Sequence, residues 1–100
     1  MSYRFHPEAE AEHLDTIAYY EDRRAGLGAK YLAEFERVLA QACANPQMYR
    51  KEQAPEIRRV RMPRFPFTVL YRETNGRVEV LAVAHHRRRP AYWRTRLYSR

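Results

Sequence analysis

The period of the apolar positions changes once along the chain, and the change divides it into a helical half and a stranded half. Tyr3-Arg4-Phe5-His6 alternates briefly and then meets Pro7, a pattern that fits a short strand feeding a helix with proline in its first turn. Glu8, Glu10 and Glu12 follow, where a helix N-terminus favours acids. Ala11, Leu14, Ile17 and Ala18 then recur at three- and four-residue steps. This predicts an amphipathic helix over residues 7–23, with its exposed acidic side merely solvated. After Gly26 and Gly28, a stripe of Leu27, Tyr31, Leu32, Phe35, Val38, Leu39 and Ala42 marks a second helix, the strongest periodic signal in the chain. Asn45-Pro46 ends it, because proline cannot continue the hydrogen-bond ladder. Two helices joined by so short a turn predict an antiparallel hairpin, with Tyr19, Tyr20 and Tyr31 packed between them.

Beyond a polar loop over residues 49–56 the period becomes two. Ile57–Met62, Phe67–Arg72 and Val78–Ala84 read as strands. Asn75-Gly76, between the last two, suits a tight hairpin because both residues accept positive φ. Pro63 and Pro66 bracket a rigid corner. The last strand is apolar on both faces over Leu81–Ala84, which predicts a central place in the sheet, and a short terminal helix is expected from about Pro90. The expected architecture is α+β in the order β-α-α-β-β-β. A helix hairpin covers one face of a small, largely antiparallel sheet and leaves the other face partly exposed.

At 100 residues the chain is expected to be one domain, 1–100. Charge adds a division that the periodicity does not show. Residues 1–45 carry five basic and eight acidic side chains, whereas residues 46–100 carry fourteen and four, within a net charge of +7. Seventeen of the nineteen basic residues are Arg, whose fixed fork of donors suits phosphate and carboxylate. The second half is therefore the expected contact surface for a polyanion, nucleic acid or acidic peptide. A single cysteine, Cys43, excludes a disulfide framework and reads as a core residue in a reducing compartment. With no apolar run approaching a membrane span and no signal-peptide pattern, a cytoplasmic protein without membrane association is expected.

Several short pieces, in register over essentially the whole chain, carry a family resemblance. They are Phe5-His6-Pro7-Glu8-Ala9, Tyr19-Tyr20-Glu21, Gly26-Leu27-Gly28, Asn45-Pro46, Arg64-Phe65-Pro66-Phe67 with Leu70-Tyr71, and the stretch from Leu81 through His85-His86-Arg87-Arg88-Arg89-Pro90 to Tyr92-Trp93. The sequence resembles the RelE/ParE superfamily of toxins from type II toxin–antitoxin modules. The ending in particular is similar to the ParE-like and plasmid-stabilisation branch. The resemblance implies a growth-inhibiting toxin bound in a hetero-oligomer by a cognate antitoxin with an acidic, partly disordered tail. It implies either poisoning of DNA gyrase, which the branch favours, or, as the alternative, metal-free cleavage of mRNA on the ribosome. A third reading is an inactive antitoxin-binding or nucleic-acid-binding domain. No metal or other cofactor is implied.

The two activities ask for different residues. Metal-free RNA cleavage needs a base for the 2′-hydroxyl, cations for the phosphate and an acid for the leaving oxygen. Lys51, His85 and His86 are the candidates for proton transfer. Arg61 or Arg64 corresponds to a mid-sheet arginine of the nuclease branch, and Arg87 to the arginine that ends the last strand. Trp93 stands at the offset of a C-terminal tyrosine, with Tyr92 one residue early, and an indole has no acid–base use. His85 and His86 are neighbours on a strand, so only one can reach a given face. A binding surface asks only for Arg58, Arg59, Arg61, Arg64, Arg87, Arg88 and Arg89, with Tyr92 and Trp93 available for stacking. The plainer readings stand beside these: strand arginines paired with Glu56, Glu73 or Glu79, histidines hydrogen-bonded at a strand end, and an aromatic pair anchoring the tail.

Overall fold

A computed structural model describes residues 1–52 and 56–98. Helix α1 (Pro7–Arg23) begins with proline in its first turn, and the imidazole of His6 supplies the cap, its Nδ1 accepting the Glu8 N–H at 3.1 Å. Helix α2 (Leu27–Ala44) follows after Gly26, at φ 87°, which has no side chain to cap with. The cap comes from α1 instead: the Glu21 carboxylate accepts the N–H groups of Gly26 at 2.9 Å and Gly28 at 3.0 Å. Gly28 is required for a different reason. A Cβ there would stand 2.7 Å from the Ile17 carbonyl oxygen, so the two helices can cross this closely only without a side chain.

Helix α2 buries the stripe its periodicity predicts, through Tyr31, Phe35, Val38, Leu39 and Ala42. Helix α1 does not. Its inward residues are Ala9, His13 and Thr16, with Ile17 and Tyr20 half-buried, while Ala11, Leu14 and Ala18 face solvent. The inward polar groups find partners: His13 Nδ1 lies 3.2 Å from the Tyr31 hydroxyl, and the Thr16 hydroxyl donates to the Glu12 carbonyl. With those bonds made, the helix sits rotated from the orientation its aliphatic residues imply. Tyr20 and Tyr31 pack in the hairpin as expected, but Tyr19 is half-exposed and bonds to Arg23.

Four strands form one mixed sheet in the order β1-β4-β3-β2: β1 (Tyr3–Phe5), β2 (Arg58–Arg61), β3 (Phe67–Thr74) and β4 (Arg77–His85). The last of these is central, as its two apolar faces predict. It pairs antiparallel with β3 through Asn75 and Gly76, at φ 52° and 73°, and parallel with β1. Between the partners Leu70↔Ala82 and Tyr71↔Val80 the register slips, leaving Leu81 as an extra residue in a β-bulge. Val78 and Val80 pack under the helices before the bulge, and Val83 does so after it. Leu81 and Ala82 turn to the other face, against Leu70, Ile57 and Trp93.

That other face is partly covered by a C-terminal 3-10 helix (Tyr92–Tyr98), whose Trp93 is buried. Strand β1 stops at Phe5, and the last bond on its side of β4 runs from the His6 N–H to the Val80 carbonyl. Beyond it, an ion pair takes the place of a strand. The Glu12 carboxylate accepts the Val83 N–H at 3.0 Å, and Arg96 Nη1 donates to the Leu81 carbonyl at 3.0 Å. Arg96 also grips Glu12 bidentately, at 2.9 and 2.8 Å, and the Tyr92 hydroxyl donates to the same carboxylate at 2.6 Å. The acidic side of α1 is therefore not merely solvated. One of its glutamates ties the helix to the sheet edge and to the C-terminal segment.

Candidate functional site

A groove forms on the sheet face turned away from the helices. Arg59 pairs with Leu70 and Arg61 with Thr68, which places both arginines on the face that Leu70 shares with Trp93. The bulge at Leu81 advances the alternation of β4 by one residue, so that His85 points to the helix layer and His86 to the open face. The His86 N–H donates to the Pro66 carbonyl at 2.9 Å, and its Nε2 lies 3.3 Å from the Thr68 hydroxyl. Arg50, Arg59, Arg61, Thr68 and His86 line a hollow of about 630 Å³. It continues into a second of about 320 Å³ that reaches Arg88 and Arg89 past Trp93. Among the described residues lining these hollows Glu52 is the one acid, with Oε1 3.0 Å from Arg59 Nη1.

The remaining candidates lie elsewhere. Arg58 pairs with Tyr71 on the helix-side face and donates to the Tyr49 carbonyl at 2.9 Å. With Lys51, Glu56 and Glu73 it lines a separate polar hollow of about 170 Å³. Arg64 sits in the corner before β3, beside Lys30 and Arg37 of α2, and its backbone N–H donates to the buried Glu34 carboxylate. His85 meets Phe67 edge-on at 5.1 Å, and its Nδ1 accepts the Arg87 N–H at 3.1 Å. Arg88 lies 3.8 Å over the Tyr92 ring and 3.9 Å from Glu12. Arg87 and Arg89 are exposed and meet no carboxylate among the described residues. Burial, with the hydrogen bond to Glu12, pushes the Tyr92 phenol well above its ordinary value, so that it holds its proton.

The structure thus brings Arg59, Arg61 and His86 together, leaves His85, Arg88 and Arg89 along the extension of their groove, and turns Lys51, Arg58 and Arg64 away from it. The expected ion pairs with Glu56, Glu73 or Glu79 do not form on these arginines; Glu79 pairs with Arg72 and Glu52 with Arg59. Thr68, Arg50 and Glu52 of the groove, and Glu12 and Arg96 that brace its edge, were not legible in the sequence. Thr68 had a signal, since period-two pairing across the Pro63–Pro66 corner sets it opposite Arg61. Arg50 and Glu52 lie in a stretch that reads as loop, and the Glu12–Arg96 pair joins residues 84 positions apart. Chemically the groove offers guanidinium donors, a hydroxyl and the imidazole of His86, with His85 at its extension, a set suited to holding an anion. Among the described residues no three metal-ligating side chains cluster, and no helix is long and apolar enough to cross a membrane.

Comparison with known proteins agrees with this architecture. Sequence comparison with curated proteins gives no significant match. Among solved structures, a chain of a chromosomal ParDE TA system from P. aeruginosa superposes with a TM-score of 0.71 at 18% identity, covering 85% of this chain and 95% of that one. A family model described as the ParE toxin of the type II toxin–antitoxin system parDE matches residues 3–90, which takes in both helices and all four strands. The chain belongs to the ParE toxin family.

Proposed function

We propose that this toxin arrests growth by binding and poisoning DNA gyrase through its basic open face, and that an antitoxin with an acidic tail neutralises it. The observation that carries the choice of target is the dispersal of the proton-transfer candidates. Lys51 lies in a separate hollow, the His85 ring at the groove's extension packs edge-on against Phe67 with its Nδ1 taken by the Arg87 N–H, and the Tyr92 phenol is committed to Glu12. General acid–base cleavage needs two such groups within hydrogen-bond reach of one phosphodiester. Binding needs only the cations, and these the groove supplies. The parDE description of the matching family supports the same reading.

The test is induction without antitoxin, with supercoiling by purified gyrase and ribosome-dependent mRNA cleavage assayed in parallel. The expected result is lost supercoiling with intact message. Cleaved message with active gyrase would overturn the reading and return His86 to a catalytic role.

A further inference from the structure

Glu52 occupies an unusual place. The open-face groove and its extension hold Arg50, Arg59, Arg61, Arg88 and Arg89; among the described residues lining them Glu52 is the one acid, seated on Arg59, while Glu12 reaches Arg88 from outside at 3.9 Å. The backbone puts it there. Arg50 and Glu52 flank a short antiparallel pairing with β2, in which the Arg59 N–H donates to the Arg50 carbonyl at 3.0 Å and the Glu52 N–H to the Ile57 carbonyl at 2.7 Å. The pair is open to water, with 42% of the Arg59 side chain and 25% of the Glu52 side chain exposed, so it contributes little to stability. A pair that does little for the fold, in a groove otherwise cationic, has the form of a displaceable contact.

We propose that the groove holds the phosphodiester backbone of a nucleic-acid strand, and that Glu52 is a built-in competitor that occupies Arg59 until a phosphate displaces it. The donor set fits phosphate: planar guanidinium forks from Arg59 and Arg61, the Thr68 hydroxyl, and the His86 imidazole 3.3 Å from it. Shape favours one strand over a duplex, because the groove is a hollow set into the face of β2, β3 and the end of β4, bounded by residues 50–52 on one side and the 3-10 helix on the other. The competitor sets a threshold. A lone anion must exchange with Glu52, whereas a strand contacting Arg61, Arg88 and Arg89 as well gains several contacts for the one it breaks. This deepens the proposed function by naming the chemistry that the basic face recognises, and it can be tested without gyrase.

The experiment measures binding of a short fluorescein-labelled single-stranded DNA by anisotropy across a salt series. The protein is the full chain, checked for folding by circular dichroism. Glu52→Gln is expected to tighten binding several-fold. Arg59→Ala is expected to weaken it about tenfold and to lower the salt slope by about 0.7, the loss of one phosphate contact on a single strand. In the Arg59→Ala background Glu52→Gln should have no further effect, since its only route of action is gone. Glu73→Gln, the same change of net charge outside the groove, serves as control. Equal tightening by Glu52→Gln and Glu73→Gln would overturn the proposal, as would binding indifferent to Arg59→Ala. Binding of an acidic peptide in place of the oligonucleotide would assign the groove to protein instead. Gyrase inhibition by a protein that does not bind DNA would sink this proposal and spare the function, and DNA binding without gyrase inhibition would do the reverse.

Discussion

The imidazole of His13 is buried among the rings of Phe5, Tyr31 and Phe35, at centroid distances of 5.0, 5.5 and 4.2 Å, with the Tyr31 hydroxyl as its hydrogen-bond partner. Burial disfavours the charged form and pulls its pKa down from 6.5 to about 4. The sign of the consequence follows from proton counting. Between those values the unfolded chain binds a proton that the native protein excludes, so acid favours unfolding. Stability from this site is complete above about pH 6.5, falls as the pH drops toward 4, and levels off once the native imidazole also protonates, for a total of at most about 3 kcal/mol. Urea midpoints measured from pH 7 to pH 4 should show that slope, and a His13→Phe variant should show a shallower one. Equal slopes would mean that the buried imidazole does not control acid sensitivity.

At the level of elements, the edge of β4 beyond β1 is closed by side chains and not by a strand. Arg96→Ala would leave Glu12, 16% exposed, without its bidentate partner and would leave the Leu81 carbonyl unbonded. A loss of about 3 kcal/mol is expected, in contrast to about 0.5 kcal/mol or less for Arg59→Ala in its exposed pair. Denaturant unfolding of the two variants compares them directly, and similar losses would refute the role given to the latch. None of this edge was visible in the sequence. The pattern of α2 was legible because Tyr31, Phe35, Val38, Leu39 and Ala42 of its stripe had an apolar surface to meet, with Leu27 and Leu32 half-buried at its margin. In α1 the aliphatic residues Ala11, Leu14 and Ala18 misled, because His13 and Thr16 could be buried once their bonds were made inside. The candidate site was legible to the same limited depth. Arginines of β2 at positions of opposite parity had to divide between two faces, and Arg59 and Arg61 fall together accordingly. Which histidine joined them depended on a single bulge at Leu81, a backbone irregularity with no marker in residue type.

Across the whole molecule charge is unevenly divided between the two faces of the sheet. Exposed acids of α1, among them Glu8, Glu10 and Asp15, lie on the helix side, and the arginine groove lies on the far face of the sheet. At physiological ionic strength charges are screened over about 8 Å, and at 0.01 M over about 30 Å, so exposed acids of α1 across the sheet from the groove act on it chiefly in the second condition. A polyanion approaching the groove, such as the acidic antitoxin tail of the proposed function, should therefore sense α1 only at low salt. Replacing Glu8 and Glu10 by Gln and Asp15 by Asn is expected to speed association with an acidic peptide near 0.01 M salt and to leave the rate unchanged near 0.15 M. Neutralising Arg59 and Arg61 should slow it in both conditions, because those charges lie within a screening length of the ligand. Stopped-flow rates across the salt range decide the matter. An effect of the α1 acids that persists at high salt would place the helix layer inside the interface and remove the basis for assigning recognition to the open face alone.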